Sequence, residues 1–282
     1  MSNVIAQATA SYSRINGVLH APDPEEKATV TEDLQGAIEL QNVSLVYGEK
    51  NTLKAINLSV DAGTSLAVIG PTAAGKTQLL YLLTGLIRPT SGQILFDGRN
   101  IDDYVKEDFY RQVGFVFQDS ILFNMSIREN IAFSNEVTDE MLEKAIVTAE
   151  LKDFVDSLPQ KLDTIVSERG TTLSGGQKQR LMLARALAIN PRILLLDDFT
   201  ARVDANTEKR ILENLEKNYP GITLISVTQK VATAELFDQI VVLMQGEVVA
   251  KGMHDDLMKR STDYVQIYNS QQSTSNYEVQ PQ

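Results

Sequence analysis

The sequence predicts an α/β fold: a mainly parallel sheet with helical crossovers, an antiparallel β subdomain and a helical insertion. Ser65–Ile69 and Ile193–Leu196 are continuous apolar runs bounded by turn or capping residues, as in strands buried on both faces, and Thr223–Val227 is similar. Ile38 and Leu40, then Val43, Leu45 and Tyr47, alternate in two short registers, and Ile56, Leu58 and Val60 alternate again, the period of half-buried antiparallel strands. Ser126 to Leu158 reads as the helical insertion. There Thr138 is an N-cap, Asp139 and Glu140 occupy the first turn, and Leu142, Ala145, Ile146 and Ala149 share a face. With 282 residues, 43% of them hydrophobic, one large domain with an insertion and two small domains both fit.

Residues 1–20 read as a helix with apolar Ile15, Val18 and Leu19, and Ala21 to Leu34, with two prolines and many charged or Thr residues, reads as a linker. The core is therefore expected from Ala37 to about residue 268, its helical part over about 119–185. Residues 269–282, rich in Ser, Gln and Asn, are expected to be disordered. No run approaches the roughly 18 apolar residues of a membrane span; the richest, Leu79–Ile87, is broken by Thr84 and Gly85. The N-terminal residues lack the pattern of a secretory signal, so a reducing intracellular compartment is expected. The absence of cysteine excludes disulfides, thiolate nucleophiles and zinc–thiolate sites, and two histidines, His20 and His254, cannot form a multi-histidine site. Any metal must be an oxygen-bound ion. A net charge of −11 argues against nucleic acid as a partner.

Gly70-Pro71-Thr72-Ala73-Ala74-Gly75-Lys76-Thr77 fits the phosphate-loop pattern GxxxxGK(S/T). It follows a buried strand and opens a helix over Thr77–Leu83, so backbone N–H groups and the helix N-terminus converge on the β- and γ-phosphates of a nucleoside triphosphate. Lys76 neutralises phosphate charge, and the Thr77 hydroxyl binds Mg²⁺. Ile193-Leu-Leu-Leu-Asp197-Asp198 supplies the carboxylate such a site needs at a neighbouring strand end: Asp197 for magnesium, Asp198 as base or water-positioning residue. Leu173-Ser174-Gly175-Gly176-Gln177 is a second anion-binding helix end, with a hydroxyl and small residues that let a phosphate approach.

Together these motifs resemble the ATP-binding cassette (ABC) superfamily over residues 37–258, which implies a P-loop NTPase core in the ABC cassette arrangement. In that family the signature motif of one cassette closes over the ATP held by the phosphate loop of a second, so the resemblance implies ATP and Mg²⁺ as ligands and a second cassette as partner. Tyr47, just before Gly48, matches the aromatic that stacks on adenine. Gln118, after Val113-Gly-Phe-Val-Phe, matches the glutamine loop that touches Mg²⁺. Phe123–Ile131 and Val166–Gly170 look like segments of exporter-type cassettes, the second meeting the coupling helices of transmembrane domains. Ala8–Leu19 is similar to the segment joining a last membrane helix to its cassette. The resemblance thus implies a fragment of a longer exporter, on the cytoplasmic side of the cell membrane.

The chain departs from the family in two places that face one site. The glutamate after the magnesium aspartate is Asp198, shorter by a methylene, and a carboxylate drawn back by about 1.5 Å is badly placed to polarise water. The switch-loop histidine is Gln229, which can hydrogen-bond a γ-phosphate but cannot become cationic. The pair resembles the degenerate site of a heterodimeric multidrug exporter, a site that holds nucleotide and hydrolyses it slowly. Ala201-Arg202-Val203-Asp204 and Ala73 are further departures. Two other readings remain open: a soluble ABC ATPase acting on nucleic acid, and a non-catalytic ATP-binding regulatory module.

Overall fold

The computed structural model describes residues 2–19, 28–48, 50–119, 121–133, 137–166 and 173–278. Helix α1 spans Ser2–Leu19. Packing begins ahead of Ala37: Val30 bridges Tyr104, Leu34 is fully buried, and the Leu34 N–H donates to Gln112 Oε1 (2.7 Å). The linker expected over residues 1–36 therefore ends earlier. Two isolated apolar residues among charged ones carry no period, which hid these anchors.

Strands β1 (Ile38–Tyr47), β2 (Lys50–Val60), β4 (Ser91–Phe96) and β5 (Arg99–Asn100) form an antiparallel sheet in the order β2-β1-β4-β5. The two registers of β1 have a local cause. Pairing with β2 shifts between Leu40 and Val43, and Asn42 between them has a left-handed φ of 50°. Asn42 and Asn57 exchange bonds there: the Asn42 N–H donates to Asn57 Oδ1, and Asn57 Nδ2 donates to Asn42 Oδ1, both 3.0 Å. The extra residue turns Val43 and Leu45 back toward the core that Ile38 and Leu40 face.

The second sheet holds β3 (Ser65–Ile69), β6 (Val113–Val116), β9 (Ile193–Asp197), β10 (Thr223–Val227), β11 (Gln239–Met244) and β12 (Glu247–Gly252) in the order β12-β11-β3-β10-β9-β6. All its pairings are parallel except β11 with β12. Short strands β7 (Met125–Ser126) and β8 (Ile165–Val166) pair with each other. The helices are α2 (Lys76–Leu83), α3 (Lys106–Tyr110), α4 (Ile127–Ile131), α5 (Asp139–Thr148), α6 (Lys152–Ser157), α7 (Gly175–Ala188), α8 (Ala205–Asn218), α9 (Val231–Ala234), α10 (His254–Arg260) and α11 (Thr262–Glu278). Alternate residues of β3 and β9 face different cores. Ala67, Ile69, Leu194 and Leu196 pack with Leu142, Leu183 and Ile211 of the helices, whereas Leu66, Val68, Ile193 and Leu195 pack with Leu79, Leu83 and the antiparallel sheet.

Helix α11 runs to Glu278, through residues the composition assigned to a disordered tail. Tyr264 is fully buried, Ile267 and Tyr268 pack on the helical-side core, and Gln271 is hydrogen-bonded, so tertiary contacts carry a helix that its polar sequence conceals. Among the described residues no helix is long and apolar enough to cross a membrane.

Candidate functional site

Parallel pairing brings the C-terminal ends of four strands to one edge of the sheet. There β3 runs into residues 70–75 and α2, β9 ends in Asp197 and Asp198, β10 leads to Gln229, and β6 leads to Gln118. Because β10 lies between β3 and β9, Gln229 emerges between the phosphate loop and the two carboxylates.

The loop's shape needs its glycines. Gly70 has φ 148°, and a Cβ there would stand 2.0 Å from the Leu243 carbonyl oxygen; Gly75 has φ 103°, and its Cβ would meet Leu53 Cδ2 at 2.7 Å. Ala73 also takes a left-handed φ, 64°, at a cost of about 1–2 kcal/mol, which accounts for the family's glycine at that position. Lys76 Nζ donates to the carbonyls of Gly70 (2.8 Å) and Pro71 (2.9 Å), closing the loop on itself. Burial pulls the Lys76 ammonium below its ordinary range, with Asp198 and then Asp197 acting against that.

Thr77 Oγ1 donates to Asp197 Oδ1 at 3.3 Å. Asp197 is 1% exposed, and its Oδ2 is buried with no hydrogen-bond partner. Burial pushes this carboxyl above its ordinary range; the Thr77 hydrogen bond opposes the shift, Asp198 adds to it and Lys76 opposes it. An orphaned carboxylate oxygen beside a hydroxyl fits a hard, oxygen-bound cation. Among the described residues no group of three or more His, Cys, Asp or Glu gathers, and the oxygen donors that meet here are Thr77 and Asp197. Asp198 accepts from Gln229 Nε2 at 3.2 Å. Phosphate loop, Asp197, Asp198 and Gln229 thus form one connected group.

Gln118 and Tyr47 are exposed and stand outside that network. Tyr47 closes the β1–β2 hairpin opposite Lys50, on the strand pair whose Thr52 and Leu53 press on Gly75. In the signature segment Leu173 is buried and Ser174 caps α7. Ser174 Oγ accepts from the Gln177 N–H (3.2 Å), and Gln177 Oε1 accepts from the Ser174 N–H (2.8 Å). The N–H groups of Gly175 and Gly176 lie in the first turn of α7, where the helix itself offers them no acceptor. Those glycines also accommodate Arg202: a Cβ on Gly175 would meet Arg202 Cδ at 2.9 Å, and one on Gly176 the Arg202 carbonyl at 2.7 Å.

Residues 53–201, more than half of the chain, match the sequence profile of the ABC transporter family. The chain belongs to that family. It is 40% identical over 273 residues to the ABC transporter ATP-binding protein YfiB of Bacillus subtilis, covering 95% of this chain and 47% of that protein. It is 35% identical over 275 residues to the ATP-dependent lipid A-core flippase of Syntrophus aciditrophicus, covering 96% of this chain and 46% of the flippase. A bacterial Atm1-family ABC exporter solved with ATP bound superposes with a TM-score of 0.83 at 34% identity, over 89% of this chain and 44% of the exporter chain. The chain spans about half the length of the curated relatives it matches.

Three site-side contacts of this ABC transporter cassette went unread in the sequence. Lys230, next to Gln229, donates from Nζ to the carbonyls of Thr200 (2.9 Å) and Val203 (3.2 Å) and pairs with buried Glu208 (3.1 Å). Gln179 Oε1 accepts from the Arg202 N–H (3.1 Å), tying α7 to the segment after Asp198. Gln271 of α11 bonds the backbone around Lys230. Only the adjacency of Lys230 to Gln229 was visible; the others join residues 23 or more positions apart. A cavity of about 660 Å³ between α3, β4 and the end of α2 is lined by no phosphate-loop residue. Of the two exporter-like segments, Phe123–Ile131 is described: Ser126 and Glu129 form a capping box for α4. In the second, Val166 lies in β8 and residues 167–170 fall outside the described residues.

Proposed function

We propose that this chain is the ATP-binding cassette of an ABC exporter, pairing with a second cassette and driving attached transmembrane domains from the cytoplasmic face of the cell membrane. The observation that carries the reading is the connected group of phosphate loop, Asp197, Asp198 and Gln229 in a chain whose α7 has a second, separate helix N-terminus capped by Ser174. One chain with two phosphate-binding ends, not hydrogen-bonded to each other among the described residues, suits a head-to-tail pair in which each nucleotide is shared. The likeness to a lipid A-core flippase and to an Atm1-family exporter supports export as the work done. Exposed Phe123 and Phe133, in the stretch that follows β6, stack on each other with ring centroids 5.0 Å apart, and an apolar surface there suits the coupling helices of membrane domains.

The residues divide the chemistry. Loop N–H groups and the N-terminus of α2 bind the phosphates, and Lys76 exchanges its carbonyl partners for phosphate oxygens. Thr77 and Asp197 would hold Mg²⁺, which would supply positive charge to offset that of the phosphates. Asp198 accepts a proton from the attacking water, and Gln229 orients it. The finer reading of a slow site rests on reach and charge: the Asp198–Gln229 bond keeps the two side chains together at the site, yet neither has the reach or charge of the family's usual pair. A heterodimer, whose partner supplies the competent site, follows from that.

Measurement of MgATP binding and single-turnover hydrolysis, with and without a candidate partner cassette, tests both levels. Tight binding with very slow turnover alone, rising with the partner, is expected. Brisk hydrolysis alone would replace the slow-site reading with an ordinary homodimeric cassette. Failure to bind MgATP would overturn the function.

A further inference from the structure

We propose that Gln271 of α11 is a positioning residue for the switch loop, holding Gln229 at Asp198 so that the C-terminal helix sets how fast this site turns over ATP. The inference rests on the proposed function, in which Asp198 and Gln229 act on the attacking water.

The contact is bidentate. Gln271 Oε1 accepts from the Val231 N–H at 2.8 Å, and Gln271 Nε2 donates to the Gln229 carbonyl at 2.5 Å. One primary amide therefore bridges the backbone on both sides of Lys230. Lys230 Nζ is in turn held by the carbonyls of Thr200 and Val203, on the segment that follows Asp198, and by Glu208 of α8. The three residues 229–231 are fixed between two elements, and the side chain of the first meets Asp198 at 3.2 Å.

The platform for Gln271 is firm. Tyr264, two turns earlier on α11, is fully buried, with its hydroxyl 2.7 Å from His254 Nδ1, and Ile267 and Tyr268 pack on the core. A side chain with one donor and one acceptor at this reach is what the two backbone groups require. Glutamate has the same shape but would set a carboxylate oxygen against the Gln229 carbonyl. Gln271→Glu therefore breaks the clamp with little change in volume, and Gln271→Ala removes it.

The test compares the 282-residue chain with both variants, using MgATP as ligand, and reads affinity, steady-state turnover and amide exchange at residues 229–231. MgATP affinity and KM should stay within about twofold, kcat should fall about tenfold in both variants, and exchange at 229–231 should rise. An unchanged kcat overturns the proposal, since a merely structural clamp would alter melting temperature and exchange without separating kcat from KM. Where wild-type turnover lies below detection, the protection that MgATP gives residues 229–231 decides: lost in Gln271→Glu, it supports the proposal, and retained, it overturns it. A wild-type chain that binds no MgATP would sink the functional reading itself, a result distinct from intact binding with no effect of the variants.

Discussion

The side-chain amide of Gln229 donates to the carboxylate of Asp198 at 3.2 Å, so the two residues that depart from the family's pattern are each other's partner. Repairing one alone leaves the other misfitted. Asp198→Glu with Gln229→His is expected to raise single-turnover hydrolysis by about 10²-fold, more than either change alone, given what a misplacement of about an ångström costs. Equal rates in double variant and wild type would overturn the proposal that these two residues slow the site.

Asp197→Asn should separate stability from ligand binding. Because the folded carboxyl binds its proton more tightly than the unfolded one, the ionised form disfavours folding: stability contributed at low pH is lost as pH rises through the raised pKa. In the nucleotide-free chain, thermal unfolding of Asp197→Asn should occur about 2–4 °C above wild type at pH 7, with the gap closing toward pH 4. Mg²⁺-dependent ATP binding should be lost. A variant that melts below wild type at pH 7 would contradict the sign.

Gly70→Ala forces a methyl to 2.0 Å from the Leu243 carbonyl, whereas Gly98, at a similarly left-handed φ of 78°, has nothing within 4 Å of its would-be Cβ. Urea unfolding should show a loss of about 3 kcal/mol or more for Gly70→Ala and about 1 kcal/mol for Gly98→Ala. Nucleotide affinity should drop in the first alone. Similar behaviour of the two would mean that the loop yields to the methyl.

Asn130 is completely buried and fully engaged. It accepts from the Phe123 N–H and Arg185 Nη2, and it donates to the carbonyls of Phe123, Met125 and Ser126. Asn130→Ala strands several of these groups and should cost about 3 kcal/mol in denaturant unfolding. Asn130→Asp, unable to donate to three carbonyls, should be at least as harmful, and a near-neutral result would show that water enters the space.

Legibility in the sequence followed distance along the chain. The phosphate loop, Asp197, Asp198 and the signature are short spans whose chemistry is set by neighbours, and β3, β9 and β10 carry their burial on their own residues. Even the bulge at Asn42 showed as a break in alternation. What escaped notice depends on remote partners: Leu34 against Gln112, Lys230 against Glu208, Gln271 against the switch loop. A polar helix held by an end-on amide has no hydrophobic period, so composition placed α11 beyond Ser270 among disordered segments.

Asp198 sits at a φ of 48°, in the left-handed region that aspartate and asparagine tolerate better than longer side chains do. The family's glutamate would hold the same backbone less comfortably. At this position the shorter acid therefore favours the resting backbone, so lengthening it to glutamate trades some stability of the turn after β9 for reach toward the loop.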